Sequence, residues 1–140
     1  MEDLIQQILS EDSRIEVALL FGSHVTGKTT PMSDVDIGII TNADLALIDL
    51  GHHISVLEAE LSATVDLIEL NDVFKRNPQF AYNIVSNHRV LFCRDSELLV
   101  AFKRNTFLYY FDTQPMRDVM NASFRRRIAE GKFGQKNYVG

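Results

Sequence analysis

A hydrophobic segment running into Leu20-Phe21-Gly22-Ser23, followed after a short polar connector by Asp34-Val35-Asp36-Ile37, restricts the folds open to this chain more than any other feature. Ten residues separate Ser23 from Asp34, and only Val35 separates the two carboxylates. The connector holds Gly27, Thr29, Thr30 and Pro31, so no long helix fits between the two apolar segments. The pattern is therefore strand, glycine turn, connector, strand. It sets backbone able to hold phosphate beside a pair of side chains able to hold a metal, the combination that chemistry on a nucleoside triphosphate requires.

Residues two apart on a strand point to the same face, so Asp34 and Asp36 share one side with their Cα atoms roughly 7 Å apart. Val35, Ile37 and Ile39 take the opposite side and anchor the strand in the core. Two such carboxylates repel and raise each other's pKa unless a cation lies between them. Magnesium binds through one or two carboxylates together with substrate phosphates, which suits this pair. The competing interpretation is two solvated aspartates on an edge strand, and the preceding glycine turn is what tips the balance. Asp66 is a third candidate, in Thr64-Val65-Asp66-Leu67-Ile68 and opposite Val65 and Leu67. If its strand lies beside the second, three carboxylates meet; they could hold two magnesium ions, and Asp66 could take a proton from an attacking hydroxyl. At Gly22 the missing Cβ lets the backbone approach a phosphate, and the Ser23 hydroxyl with the amides of a following helical turn can donate to it.

The same stretch carries a decoy. Gly22 to Thr29 satisfies the P-loop pattern G-x-x-x-x-G-K-[ST], including Lys28. A P-loop works only between a strand and a helix, and here Pro31 and the strand at Asp34 leave no room for a helix of normal length. The aspartate site is favoured over it.

Hydrophobic periodicity supplies the rest of the frame. Leu4, Ile5, Ile8 and Leu9 predict a helix ending near Ser10. From Arg14 to Phe21 the alternation places Ile15, Val17, Leu19 and Phe21 on one face of a strand and Ala18 and Leu20 on the other. Asn42 or Asp44 is the expected cap of a helix to about Ser62, with Leu45, Ile48, Leu50, Ile54, Leu57 and Leu61 as its apolar stripe. Thr64 to Leu70 reads as a third strand. Asn77-Pro78 reads as a helix start, Phe80, Ala81, Ile84 and Val85 as that helix's buried face, and Asn87 as a left-handed stop. Arg89 to Cys93 is a fourth strand. A helical region starts at Asp95 or Ser96, is broken or kinked at Pro115, and runs on through Met116, Met120, Phe124 and Ile128. The fold class is α/β (α+β), as one domain over residues 1–130, with 95–130 its C-terminal helical region and 131–140 a flexible tail.

Composition excludes several classes. With 140 residues, 46% apolar and 24% charged, the chain can bury a core and is neither disordered nor membrane-embedded. The acidic start Met1-Glu2-Asp3 is no secretory signal, and the lone Cys93 can form no internal bridge, so a cytoplasmic setting is expected. The net charge of −5 conceals an asymmetry: residues 1–94 hold 14 acids and 6 bases, residues 95–140 hold 5 acids and 8 bases. The basic end, with Arg125, Arg126, Arg127, Lys132 and Lys136, is expected to be a solvated helix face and tail, although it could meet an acidic partner. His24, His52, His53 and His88 show no metal-ligand spacing.

Gly22-Ser23, then Asp34-x-Asp36, then Val65-Asp66-Leu67 resembles the nucleotidyltransferase superfamily typified by DNA polymerase β. More closely the chain resembles the minimal nucleotidyltransferases (MNT) that are paired with HEPN-domain toxins, and Tyr110-Phe111-Asp112-Thr113-Gln114-Pro115 is similar to the Y-x-D-x-x-P found near their C-terminal helix. The similarity spans roughly residues 1–120. It departs from the common G-S-x-A-R-G pattern, with Val25 and Thr26 in place of Ala and Arg and Lys28 a substitute source of charge; Asn87 stands where glycine is common.

The resemblance implies a polymerase β-like fold, a small mixed sheet flanked by helices with a helical C-terminus. It implies catalytic and metal-binding roles for Asp34, Asp36 and Asp66, nucleotide contacts from Gly22, Ser23 and Lys28, magnesium (two ions) as cofactor and ATP as substrate. The implied reaction moves AMP to a tyrosine hydroxyl of a HEPN RNase toxin, silencing it within a toxin complex, with nucleic acid not a direct substrate. The chain is not itself the HEPN partner, since no arginine is followed by histidine four to six residues on. Two other functions compete. One is an antitoxin acting by contact alone, through Phe107 to Phe111, Met116, Met120 and Phe124, at least half of which are expected in the chain's own core. The other is transfer to a small molecule of aminoglycoside type, disfavoured because no acceptor-holding domain is evident.

Overall fold

The structure is a computed structural model that describes residues 1–27 and 34–129, and the side chains of all of these except 117 and 120–129. Lys28, the last part of the connector and the expected tail at 131–140 lie outside the described residues. In chain order the elements are α1 (Glu2–Ser10), β1 (Ile15–Phe21), α2 (Ser23–Thr26), β2 (Val35–Thr41), α3 (Leu47–Leu61), β3 (Val65–Glu69), α4 (Val73–Arg76), α5 (Pro78–Ser86), β4 (His88–Cys93) and α6 (Ser96–Ala129). The strands form one mixed sheet in the order β3-β2-β1-β4, with β2 parallel to β3 and β1 antiparallel to both of its neighbours. This is the expected mixed sheet flanked by helices.

Strand β1 is interior to the sheet and covered on both faces, so its sequence is a near-continuous apolar run. One face packs Ile15, Ala18, Leu20, Val35, Ile37 and Ile39 against Ile5 and Leu9 of α1 and Leu57 of α3. The other packs Val17, Leu19, Phe21 and Ile40 against Val73 and Phe74 of α4, Ala81 and Ile84 of α5, and Phe102 of α6. Ile15 thus lies on the face opposite to the one expected. The β1–β2 register shifts between Ile15 and Val17, and one irregular step reverses the alternation of every residue before it.

Two helix ends also differ from expectation. Helix α3 starts at Leu47 after Ala46, with no side-chain cap, instead of at Asn42 or Asp44. Its inward side chains are Leu50, Ile54, Leu57 and Leu61. Ile48 lies nine residues before Leu57, about half a turn away at 100° per residue, and is 80% exposed. At the end of α5, Asn87 is extended (φ −143°, ψ 94°) rather than left-handed, because the chain passes directly into β4. Among the described residues the left-handed non-glycine one is Ser62, which closes α3. The start of α5 is as expected: Pro78 is in the first turn, and the Asn77 side chain accepts a hydrogen bond from the Phe80 amide at 3.1 Å.

Helix α6 begins with the Asp95 carboxylate accepting from the Glu97 amide at 3.0 Å and runs unbroken through Pro115. Proline removes one helical hydrogen bond, but in an exposed stretch water can take the freed carbonyl. The first part of α6 packs on the body through Phe102 and the fully buried Thr106. Farther along, Tyr109 meets Phe74 edge-on at 5.0 Å and Tyr110 stacks on Tyr82 at 3.9 Å. Of the aromatic and methionine residues at this end, Phe107, Tyr109, Phe111 and Met116 are 39 to 70% exposed, so most of the described ones are surface rather than core. Met120 and Phe124 are among the side chains not described.

Candidate active site

The site forms where the ends of β1, β2 and β3 meet beneath α5. Chain direction and register bring it together. Antiparallel pairing sets Asp36 opposite Phe21, the last residue of β1, and parallel pairing sets Asp36 opposite Asp66. The two aspartates of different strands are therefore direct neighbours on one face, as the alternation in both strands requires. Val35, Ile37, Val65 and Leu67 point the other way and are buried. Asp34 immediately precedes β2 and is exposed, and the neighbouring Val35 amide bonds the Thr64 carbonyl at 2.9 Å, holding the start of β2 beside β3.

Gly22 follows Phe21 with φ 78° and ψ −151°, a backbone conformation that favours glycine. A Cβ there would overlap the Asp36 Oδ2 atom, so glycine is needed for two independent reasons. The chain then turns into α2, whose first residue is Ser23. The Val25 and Thr26 amides close on the Gly22 carbonyl at 3.0 and 3.1 Å, leaving the amides of Ser23 and His24 at the open end of the turn. Gly27, left-handed at φ 79°, ends α2 after four residues. With α2 ending at Thr26 and β2 starting at Val35, no P-loop helix of normal length fits between them.

Asp36, Asp66, Gly22 and Thr26 line a cleft of about 370 Å³, together with Phe21, Ile68, Phe80, Asn83, Ile84 and Asn87. Ser23 and Asp34 stand outside this cleft, at its margin in sequence. Asp36 is the partly buried carboxylate of the cleft. Burial raises its pKa above the ordinary carboxylate value, the charges of Asp66 and Asp34 raise it further, and His24 opposes them. Among the described residues Asp34, Asp36 and Asp66 form no ion pair with a lysine or arginine, a condition a divalent cation relieves. Among the described residues no three metal-ligating side chains are already gathered into a cage. Like charges without a cation splay apart, and magnesium takes much of its shell from water and phosphate. The donor set fits a hard divalent ion held jointly with a nucleotide.

Several lining residues escape the sequence reading. Phe80, Asn83, Ile84 and Asn87 fall at i, i+3, i+4 and i+7, one face of α5. Two carboxamides on an otherwise apolar stripe were the available signal. Outside the cleft, the Arg89 guanidinium of β4 donates to the His24 carbonyl at 3.1 Å and to Glu2 at 2.8 Å, tying α2 to α1 and β4. The His24 Nε2 atom is buried with no hydrogen-bond partner among the described residues.

These features define a nucleotidyltransferase domain of polymerase β type. Residues 3–97 match the family model described as polymerase beta, nucleotidyltransferase, and the chain belongs to that family. The comparison with curated proteins returns no match. Solved structures of similar fold include a toxin–antitoxin crystallised with AMP-PNP, at TM-score 0.72 and 22% identity over 87% of this chain and 96% of that one. A chain of the toxin–antitoxin MntA-HepT is similar at TM-score 0.66 and 21% identity, over 87% and 94% of the two chains. So is one from the complex of a tri-AMPylated HEPN toxin with MNT antitoxin from Shewanella oneidensis, at TM-score 0.65 and 19% identity over 88% and 98%. Among the described residues no helix is long and apolar enough to cross a membrane.

Proposed function

We propose that this chain is an antitoxin nucleotidyltransferase that moves AMP from magnesium-ATP to a tyrosine hydroxyl of a HEPN RNase partner and thereby silences it. One observation carries the proposal: parallel register sets Asp36 against Asp66 in a cleft that also contains the Gly22 turn. The neighbouring folds support the choice of partner and nucleotide, since they come from toxin–antitoxin complexes, one with AMP-PNP and one with an AMPylated HEPN toxin.

In this scheme the Ser23 hydroxyl and the open amides of α2 hold the β- and γ-phosphates, with Lys28 adding charge. Asp34, Asp36 and Asp66 would hold two magnesium ions, which when bound neutralise the triphosphate and polarise the reacting oxygens. The acceptor oxygen attacks the α-phosphorus, a new P–O bond forms, and the bond to the bridging α–β oxygen breaks to release pyrophosphate. Asp66, exposed at the cleft mouth, accepts the hydroxyl proton. Orientation and charge complementarity supply most of the acceleration.

Incubation with α-labelled ATP, magnesium and a HEPN partner encoded beside it should label the partner, and Asp36→Asn should abolish labelling. If no label transfers while Asp36→Asn protects cells as well as wild type does, the catalytic proposal fails.

A second function has its own support. Phe107, Leu108, Phe111, Met116 and Val119 of α6 are exposed apolar residues on a helix that extends past the sheet. Such a surface suits a partner contact, so neutralisation by binding can accompany catalysis. Transfer to a small acceptor of aminoglycoside type would instead appear as a mass increase of the acceptor. No feature of the cleft favours it.

A further inference from the structure

We infer that α6 is a self-association surface: two copies of this chain pair antiparallel through its exposed apolar stripe, about a two-fold axis at Phe111. The inference is independent of the nucleotide chemistry.

Two apolar faces run along α6 on nearly opposite sides of the helix. At 100° per residue, Leu98, Phe102, Thr106 and Tyr109 fall within one arc of roughly 80°. This is the arc that packs on the body, through the buried Phe102 and Thr106 and the contact of Tyr109 with Phe74. Val100, Phe107, Leu108, Phe111 and Val119 fall within a second arc of roughly 120°, on the far side from the first. They are 39 to 66% exposed, and the exposed Pro115 lies among them. A helix that packs by one face needs only that face to be apolar, so the fold of a single chain does not account for the second stripe. The stripe runs for about 30 Å of helix, the extent of a modest interface, and a dimer built on it is reversible. Because the two faces oppose each other, a helix laid on the second stripe stays clear of the body.

Charge identifies the occupant. Arg104 and Asp118 are exposed within the same arc, and neither is in an ion pair among the described residues. Arg104 precedes Phe111 by seven residues and Asp118 follows it by seven, about two turns in each direction. In an antiparallel pair centred on Phe111, Arg104 of each copy therefore meets Asp118 of the other, at both ends of an apolar centre. A parallel pair in register would instead set Arg104 against Arg104 and Asp118 against Asp118. The stripe thus complements itself in one direction, which is the isologous pattern of a two-fold dimer. Ion pairs at such a rim fix direction and register, while the apolar centre supplies the affinity. A HEPN partner that uses the same stripe has to displace the second copy.

The test is sedimentation equilibrium of the full chain over a concentration series, for wild type, Phe111→Glu, Arg104→Asp, Asp118→Arg and the double variant. Wild type should show a reversible monomer–dimer equilibrium. Phe111→Glu sets two carboxylates at the centre and should be monomeric. Each charge reversal alone places like charges at both ends and should weaken self-association about tenfold or more. Mixed in equal amounts, Arg104→Asp and Asp118→Arg should pair with each other, and the double variant should self-associate as wild type does. Recovery on mixing also shows that both single variants are folded. A wild type that stays monomeric throughout, including one that associates only with an added HEPN partner, overturns the inference. So does a dimer that survives Phe111→Glu, or charge reversals that have no effect or do not recover on mixing.

Discussion

Two groups of carboxylates sit on opposite sides of the sheet, and their electrostatics run in opposite directions. Asp12, in the turn between α1 and β1, has a side chain only 10% exposed and is fully partnered. It accepts from the Arg14 amide and Nε at 3.0 Å each and from Nη2 at 2.8 Å, and its Oδ2 lies 2.9 Å from His53 Nε2. The Arg14 bonds hold its pKa well below the ordinary carboxylate range, against the opposing effect of burial. Arg14 also reaches Asp49 on α3 at 3.1 Å, so the cluster ties the α1–β1 turn to α3. On the other face Asp36 is also partly buried, yet its neighbours are Asp66 and Asp34, and its pKa is raised. The first group stabilises the fold. The second costs stability that a bound cation and nucleotide would return, as the proposed function requires.

The contrast is broken most severely at the site itself. Asp36→Asn should lower AMP transfer by about 10²–10³-fold or more, as for loss of a key electrostatic group, measured with labelled ATP. The same change removes a repelled, partly buried charge, so without metal the variant should melt higher than wild type. Gly22→Ala should also fail in transfer, and it should destabilise by about 1–3 kcal/mol in a chemical-denaturation curve. Its Cβ would be forced onto Asp36 at a positive φ that alanine adopts poorly.

Asp12→Asn should give the converse result. Transfer should be unchanged while stability falls by about 1–2 kcal/mol, a value discounted because Arg14 is 39% exposed. The two groups also differ in their pH dependence. The stabilisation from Asp12, whose pKa is depressed on folding, is present above the unfolded carboxylate value near 4 and disappears as pH falls below it. For Asp36 the sign reverses. Its raised pKa means that stability declines as pH rises from the unfolded value through the folded one, while transfer increases over the same interval as the carboxylate ionises. Melting curves and rates collected across that range check both signs. The smallest effect is expected far from either cluster. Phe111→Glu on exposed α6 should leave stability within about 0.5 kcal/mol and weaken only partner binding, measured by calorimetry.

The sequence made the site unusually legible. A strand period of two points Asp36 and Asp66 away from their buried neighbours, and a cleft needs glycine wherever backbone must pass a carboxylate, so these positions and Gly22 could be singled out from local pattern; Asp34 was expected on the strand but precedes β2 and lies outside the cleft. What pattern could not supply was register. That Asp66 faces Asp36, and not a residue one step away, is decided by the pairing of β2 with β3, separated in sequence by the whole of α3. The irregular step near Val17 shows the reverse case, in which one local shift moved Ile15 to the other core. Asn83 and Asn87 were visible only as interruptions in an apolar stripe, and their meaning depended on α5 lying over the aspartate face. Ile48 is exposed because α3 begins only at Leu47 and buries the face carrying Leu50, Ile54, Leu57 and Leu61.

Paired thermal melts of wild type and Asp36→Asn, with and without magnesium and AMP-PNP, test the central claim most directly. Without ligand the variant should melt higher than wild type. With magnesium and AMP-PNP wild type should rise by several degrees and overtake a variant that barely moves, inverting the order. A wild type that is more stable than Asp36→Asn without ligand, or two proteins that shift equally with it, would contradict the assignment of this aspartate cluster as the nucleotide and metal site.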